Sequence, residues 1–259
     1  MSLNYTSDEM MTIAAARKIR NGAPLFVGIG LPSAAANLAR QTHAPDTILI
    51  YESGTIGAKP SVLPLSIGDG ELSETADAVV SIPEMFAYWL QGGRVALGFL
   101  GAAQIDKYAN INSTVIGGTY QKPKVRLPGA GGAQEIAANC GEVLITLRHN
   151  KRAFVEKLDF LTSGGHFEGG DSRSKRNLPG RGPTAVITDL GILEPHPETK
   201  ELTLTNVHQG VTVEQVVAET GWALKVAEQV GTTEPPTERE LAVLRDLNER
   251  TARAHAGQQ

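Results

Sequence analysis

Cysteine is nearly absent from this chain: Cys140 is the single example in 259 residues. One cysteine excludes an internal disulfide and any metal site built on paired thiolates. No basic residue adjoins it, so a small buried side chain beside a strand is expected, not a nucleophile. Aromatic residues are scarce at 5%, so the core must be largely aliphatic. Neither sign of charge predominates. With 24 Lys and Arg against 28 Asp and Glu, the net charge of −4 gives no field that would attract DNA or RNA. No apolar run approaches the roughly 20 residues of a transmembrane helix. The N-terminus lacks the basic-then-apolar pattern of a signal peptide, so a cytoplasmic protein is expected, with no membrane or nucleic-acid partner. Several catalytic signatures are missing too: there is no Walker A sequence, no H-E-x-x-H and no G-x-S-x-G. The six histidines show no ligand spacing. No metal is expected, and His149 and His166 read as loop or surface residues.

What is plentiful is glycine, with 28 residues, set between short apolar runs. Thr6-Ser-Asp-Glu9 fits a capping box that opens a helix ending near Asn21-Gly22. A strand and turn follow at Pro24–Pro32, then an Ala-rich helix at Ser33–Arg40. Thr47–Tyr51 is a continuous apolar run, the mark of a strand buried on both faces. Similar runs recur at Ala78–Ile82, Val95–Leu100, Val143–Leu147 and Ala185–Thr188, with Glu201–Thr205 after a polar link. This alternation predicts an α/β fold, an open and mostly parallel sheet with helices on both faces. Residues 162–183 form a long loop with six glycines, three arginines and one lysine, the kind of segment that serves function or an interface. Thr237-x-x-Glu240 caps an amphipathic helix carrying Leu241, Leu244 and Leu247, read as a docking helix. The expectation is one domain over residues 1–259, with a C-terminal helical appendage from about residue 232.

Three segments carry candidate chemistry. Gly28-Ile-Gly30-Leu-Pro-Ser33 follows a strand and precedes a helix, which is two-thirds of a dinucleotide fingerprint, and Glu52 falls near the position of its ribose-binding acid. Pro32, however, removes an N–H from the helix start, so a tight turn without ligand ranks first. Glu52 itself follows a buried strand and precedes Ser53-Gly54, which places it at the carboxyl end of a strand, where open α/β sheets bind ligands. A glutamate is otherwise an ordinary solvated residue. Pro128-Gly-Ala-Gly-Gly-Ala133 precedes a helix starting near Gln134. Its consecutive N–H groups can form an anion nest, or it can be a flexible turn.

Taken together, these segments resemble the B subunit of family I coenzyme A transferases, nearest the glutaconate type. The matching motifs are Gly28-Ile-Gly30-Leu-Pro32, Tyr51-Glu52-Ser53-Gly54, Gly101-Ala-Ala-Gln104-Ile-Asp106 continuing through Tyr108, Asn110 and Asn112-Ser113-Thr114, Gly129-Ala-Gly-Gly-Ala133, Val186–Gly191, and Gly210–Glu214 with Thr220-Gly221. The resemblance implies a CoA-transferase type fold and an enzyme assembled with a separate A subunit. It holds no permanent cofactor and takes a coenzyme A thioester as substrate. It also implies that Glu52 is the nucleophile and passes through a glutamyl-CoA thioester. Gly129, Gly131, Gly132 and Ala133 would form the CoA and oxyanion loop. Ser53, Gly54, Gln104, Asn110 and Asn112 would line the substrate pocket, with loop-capping as the other reading of the two asparagines. Arg148, Lys151 and Arg152 admit two readings, contact with CoA phosphates or a solvated basic face. Tyr-Glu-Ser-Gly, in place of Ser-Glu-Asn-Gly, points toward the glutaconate branch and away from succinyl-CoA:3-oxoacid transfer. Alternatives are a CoA-thioester hydrolase or decarboxylase on the same scaffold, a non-catalytic subunit, and a dinucleotide oxidoreductase that NAD titration would test.

Overall fold

The computed structural model describes residues 4–256. One compact unit takes the chain up to Phe99 and again from Pro235, and the second takes Leu100–Glu234.

In the first unit, helix α1 (Ser7–Arg17) begins as its sequence dictates. Thr6 Oγ1 accepts from the Glu9 N–H at 3.2 Å, and the Glu9 carboxylate accepts from the Thr6 N–H at 2.8 Å. Each bond satisfies an amide that a helix start leaves orphaned. Strands β1 (Pro24–Phe26) and β2 (Ile48–Ile50) flank α2 (Leu31–Gln41) and pair in parallel. Strand β3 (Thr55–Ile56) turns back antiparallel on β2. Helix α3 (Gly70–Glu74) leads to β4 (Ala78–Val79), which pairs antiparallel with β3. The apolar run at 78–82 thus gives only a two-residue, exposed edge strand, not a full one. The reason is Pro83, which cannot donate to a ladder but suits a helix start. Ser81 caps a short turn, α4 (Ile82–Glu84), that continues as a π-helix over Met85–Leu90. Strand β5 (Leu97–Leu100) then pairs in parallel with β1, giving the order β5-β1-β2-β3-β4.

The second unit opens with two hairpins, β6 (Gln104–Ile105) with β7 (Ile111–Asn112), and β8 (Val115–Gly118) with β9 (Pro123–Arg126). Helix α5 (Ala133–Asn139) precedes β10 (Glu142–Thr146). Residues 162–183 hold one short helix, α6 (Ser172–Lys175). Next come β11 (Pro183–Ile187), β12 (Gly191–Pro195), β13 (Leu202–Val207), α7 (Val213–Ala218) and β14 (Lys225–Thr232). The order is β14-β13-β12-β11-β10, parallel at both ends and antiparallel around β12. The link read from sequence as a polar connection contains β12, which closes a hairpin on β11. The chain is thus an α/β protein whose inner strands pair in parallel, as expected, and whose outer ones include hairpins.

The last helix, α8 (Glu238–His255), returns to the first unit and packs on α1 and α2. Leu241, Leu244 and Leu247 are buried there, each worth about 1.5–3 kcal/mol by removal from water. Arg17 grips Glu240 with two bonds of 2.7 Å, and Arg245 reaches Glu9 at 2.6 Å.

Candidate active site

Glu52 stands in the connection between β2 and β3. The Tyr51 N–H donates to the Thr55 carbonyl at 3.0 Å, and the Gly54 N–H donates to the Tyr51 carbonyl at 3.0 Å. That leaves Glu52 and Ser53 at the tip, with Gly54 at φ 104° completing the hairpin. A side chain at Gly54 would also run into the Val80 carbonyl. Glycine is therefore required twice at this position, by φ and by the close backbone approach. The Val80 N–H in turn donates to the Gly54 carbonyl at 2.9 Å, which fixes the far side of the turn. Glu52 is half-buried. Beside it, Ser53 Oγ and Thr55 Oγ1 are buried with no hydrogen-bond partner among the described residues.

The base of the turn is held by Tyr51, which is fully buried. Its hydroxyl lies 3.0 Å from Ser33 Oγ on α2. Asn37 donates to the Ser33 carbonyl at 3.0 Å, and Arg40 donates to Asn37 Oδ1 at 3.1 Å. Burial pushes the Tyr51 phenol up, so it stays neutral and serves as a strut. This network gives the turn at Gly28–Ser33 a structural role. Ser33, in place of a third glycine, is buried against Tyr51, and α2 starts with no side-chain cap and with Pro32 in its first turn. The segment is a strand–helix turn that supports the Glu52 hairpin.

In the second unit the Gly129–Ala133 loop runs from β9 into α5. Ser113 clamps its start: the Gly129 N–H donates to the Ser113 carbonyl at 2.9 Å, and Ser113 Oγ donates to the Gly129 carbonyl at 2.8 Å. Its end is closed by Ala133 N–H to Ala130 carbonyl, 2.9 Å. Between the clamps, the N–H groups of Ala130, Gly131 and Gly132 take no partner among the described residues. Gly129 at φ 102° and Gly131 at φ 48° have the left-handed backbone from which runs of N–H groups form anion-binding nests.

Gln104, Asn110 and Asn112 are all buried, and they bond to their own surroundings. Asn110 donates to Asp106 Oδ2 (2.9 Å) and the Phe167 carbonyl (2.8 Å), and accepts from the N–H groups of Gly165 (2.8 Å) and Phe167 (2.9 Å). Its amide has no capacity left. Asn112 donates to Gln104 Oε1 (2.8 Å) and the Val115 carbonyl (2.7 Å) and accepts from the Thr114 N–H (2.9 Å). Gln104 donates to Asp159 at 2.8 Å. The geometry of these three favours the loop-capping reading over the pocket-lining one.

Residues 8–219 match the family described as coenzyme A transferase. The chain belongs to the coenzyme A transferase family. Across 98% of this transferase chain and 97% of its relative, it is 64% identical to the B subunit of the 3-oxoadipate CoA-transferase of Pseudomonas knackmussii. It superposes on the crystal structure of glutaconate coenzyme A-transferase from Acidaminococcus fermentans with a TM-score of 0.90 at 34% identity, covering 97% of this chain and 98% of that one. The decarboxylase AibA/AibB gives a TM-score of 0.81 at 26% identity, over 96% and 97% of the two chains.

The transferase holds further polar residues that the sequence did not reveal. His149 and His166 are not surface residues: they are only 5% and 4% exposed. The His149 ring stacks on Phe154 at 3.7 Å, with Nε2 2.9 Å from Thr220 Oγ1. Burial pushes its pKa down to about 4. His166 Nε2 lies 2.8 Å from the Pro183 carbonyl, and burial lowers its pKa too. Arg173 is buried and donates to the carbonyls of Gly180 (2.7 Å), Gly165 (3.0 Å), Ala137 (2.6 Å) and Ala138 (3.1 Å). It thereby ties the long loop to the last turn of α5. Cys140 is fully buried, and its thiol is pushed up to about 12 by burial, which leaves no thiolate at neutral pH. Among the described residues no group of His, Cys, Asp or Glu is placed to hold a metal, and no helix is long and apolar enough to cross a membrane.

Proposed function

We propose that this chain is the B subunit of a two-subunit CoA-transferase, assembled with an A subunit, whose acceptor or donor acid is 3-oxoadipate. The observation that carries the reading is the 64% identity, over nearly the whole of both chains, to the B subunit of a 3-oxoadipate CoA-transferase. Glu52, presented on a rigid hairpin tip, is the nucleophile of this proposal. Its carboxylate attacks the thioester carbonyl of an acyl-CoA, forming an anhydride and expelling the CoA thiolate. The thiolate attacks the glutamyl carbonyl of that anhydride. The donor leaves as a free carboxylate, and a glutamyl-CoA thioester remains. The acceptor carboxylate then attacks the glutamyl carbonyl and again expels the thiolate. Attack of the thiolate on the acceptor's acyl carbon gives the new acyl-CoA and restores Glu52. The thioester energy is held on the enzyme throughout and is not lost to water.

Each attack develops charge on a carbonyl oxygen. The open N–H groups of Ala130, Gly131 and Gly132 are suited to receive it. Ser53 Oγ, beside the nucleophile, is a donor suited to a substrate oxygen. Gly54 is assigned the conformation of the turn, not substrate contact. Gln104, Asn110 and Asn112 are left out of the pocket. The Tyr-Glu-Ser-Gly sequence points toward the glutaconate branch and away from succinyl-CoA:3-oxoacid transfer, while the 64% identical relative is named for 3-oxoadipate, itself a 3-oxo acid. The turn sequence therefore follows the branch of the family and not the chemistry of the acid.

The test is reconstitution with the A subunit. CoA transfer with 3-oxoadipate should require both chains. Incubation with acyl-CoA and no acceptor should leave a thioester adduct on the peptide containing Glu52, absent in Glu52→Gln. Parallel initial-rate plots are expected with both substrates varied. Intersecting plots with an unmodified Glu52 peptide would refute the covalent route, and release of carbon dioxide would move the enzyme to the decarboxylase reading.

A further inference from the structure

Within the second unit, the long loop and the turn between β12 and β13 border a cavity of about 290 Å³, lined by His166, Gly170, Arg173, Leu178, Arg181 and Lys200, among others. Three of these residues are permanent cations, and no acidic residue is in the lining. None of them has a part in the reaction described above. We propose that this cavity is an effector site for a small organic dianion, a dicarboxylate or a phosphate monoester, which braces the long loop.

Arg173 supplies the buried charge. Its guanidinium donates to the backbone carbonyls of Gly180, Gly165, Ala137 and Ala138, and no carboxylate pairs with it among the described residues. Burial pushes its pKa down to about 10, so it is still charged at neutral pH. The carbonyls satisfy its hydrogens but do not cancel its charge, and a buried charge without a counter-ion is unfavourable. A dianion in the adjoining cavity would be that counter-ion. Lys200 supplies a second contact. It sits at φ 61°, a backbone conformation that glycine or asparagine adopts more readily than lysine. A lysine held at such a position is a signal of function. Its N–H donates to the His196 carbonyl at 3.0 Å, and the His196 N–H donates to the Glu201 carbonyl at 2.9 Å, so the turn is pinned. Its ammonium donates to the Pro197 carbonyl at 2.7 Å, which leaves two further donors. Arg181 is exposed and pairs with Glu142 at 3.2 Å through one nitrogen of its fork.

Size and wall chemistry narrow the ligand. At the roughly 30 Å³ that a water molecule occupies in the liquid, the cavity holds about ten non-hydrogen atoms. Coenzyme A is too large for it. Leu178 gives the carbon chain of an organic acid an apolar wall. The loop touches both sides of the Gly129–Ala133 segment. Thr162 Oγ1 accepts from the Ser113 N–H at 2.9 Å, next to the clamp on Gly129, and Arg173 binds the carbonyls of α5. Filling the cavity would therefore stiffen the backbone on either side of the open amides.

The experiment uses the complete chain in complex with an A subunit. Succinate and glycerol 3-phosphate are the dianions, and butyrate is the monoanion control. Calorimetry should show one or both dianions binding at least tenfold more tightly than butyrate. Lys200→Asn removes the cation and suits the backbone, so it should melt like the wild type without ligand. It should bind the dianion about tenfold more weakly, the loss of one charged contact. Lys200→Arg should keep the affinity. Limited proteolysis between Gly164 and Gly182 should slow about tenfold with the dianion at ten times its Kd, and only about twofold in Lys200→Asn at the same concentration. Equal dianion affinity in the wild type and Lys200→Asn would overturn the assignment. So would no binding of either dianion, butyrate binding as tightly, or binding that leaves the cleavage rate unchanged. None of these results touches the transferase reading, which stands or falls on CoA transfer itself.

Discussion

At the scale of single residues, two features carry the candidate chemistry, each within its own unit: a charged tip on a braced turn in the first and a row of open amides in the second. Tyr51 is the brace. Its hydroxyl meets Ser33 in a fully buried setting, so Tyr51→Phe leaves Ser33 Oγ without that partner. A lost buried hydrogen bond costs about 1–2 kcal/mol, or a melting shift of roughly 2–8 °C for a protein of this size. Because the ring still fills its place, transfer activity should remain within about threefold of wild type, and a loss beyond roughly 100-fold would make the hydroxyl part of the chemistry. Gly131 behaves oppositely. Its φ of 48° strains any other residue, at about 1–2 kcal/mol, so Gly131→Val should melt a few degrees lower. Its larger effect should fall on turnover, by roughly 100-fold or more, because a branched side chain crowds the amides to which the proposal assigns the developing oxyanion. A variant that melts far below this range, with turnover falling only in proportion to its folded fraction, would make the loop structural.

At the scale of elements, the clearest case is the loop at 162–183. Its glycines and cations marked it as unusual, and the structure shows why it is ordered: Arg173 gathers carbonyls from both the loop and α5. Arg173→Lys keeps the charge but loses the planar fork of donors. The prediction is a loss of about 2–4 kcal/mol, since several buried carbonyls go unpaired, together with new proteolytic cleavage between Gly164 and Gly182. Unchanged melting and protease resistance would mean the loop is held by its other contacts. The same loop shows what sequence can and cannot carry. Capping boxes, the apolar run of β2 and the glycine turns are local, so Thr6, Leu49 and Gly54 declared themselves. Strand β14 did not. Its side chains are mostly half-buried or exposed, and it is held by backbone pairing to β13, which leaves no apolar signature. The site followed the same rule. The turn that carries Glu52 and the Gly129–Ala133 loop were legible as turns because tight turns need particular residues, while the role of Glu52 rests on the family resemblance. The saturation of Asn110, the Tyr51–Ser33 contact and the burial of Arg173 and His149 were not, because each depends on partners distant in sequence.

At the scale of the whole molecule, these buried polar groups set the pH range of stability. His149, His166 and His208 are each held neutral, with burial as the largest cause. For His149 the nearby Asp189 opposes burial but does not outweigh it. The folded pKa of about 4 lies below the unfolded value of 6.5. Between these two values the unfolded chain binds a proton that the folded chain refuses, so stability rises with pH across that window. It is complete above about pH 6.5 and falls steadily as pH drops toward 4. His149 alone would account for on the order of 3 kcal/mol across the window, at about 1.36 kcal/mol for each pH unit that separates the two values. The other two histidines act in the same direction. Asp106 acts against them: burial raises its pKa, so the folded state gains a proton more readily than the unfolded one and recovers some stability at the acid end. The melting temperature should therefore be flat above neutral pH and drop steeply between about pH 6.5 and 5, before most carboxylates titrate. His149→Gln should flatten that drop, because a glutamine has no proton to gain, while costing stability at neutral pH through the lost stack on Phe154. Equilibrium unfolding at a series of pH values, wild type against His149→Gln, gives the answer. Parallel curves for the two proteins would show that His149 does not titrate between the folded and unfolded states in this window and would remove it as the source of acid sensitivity.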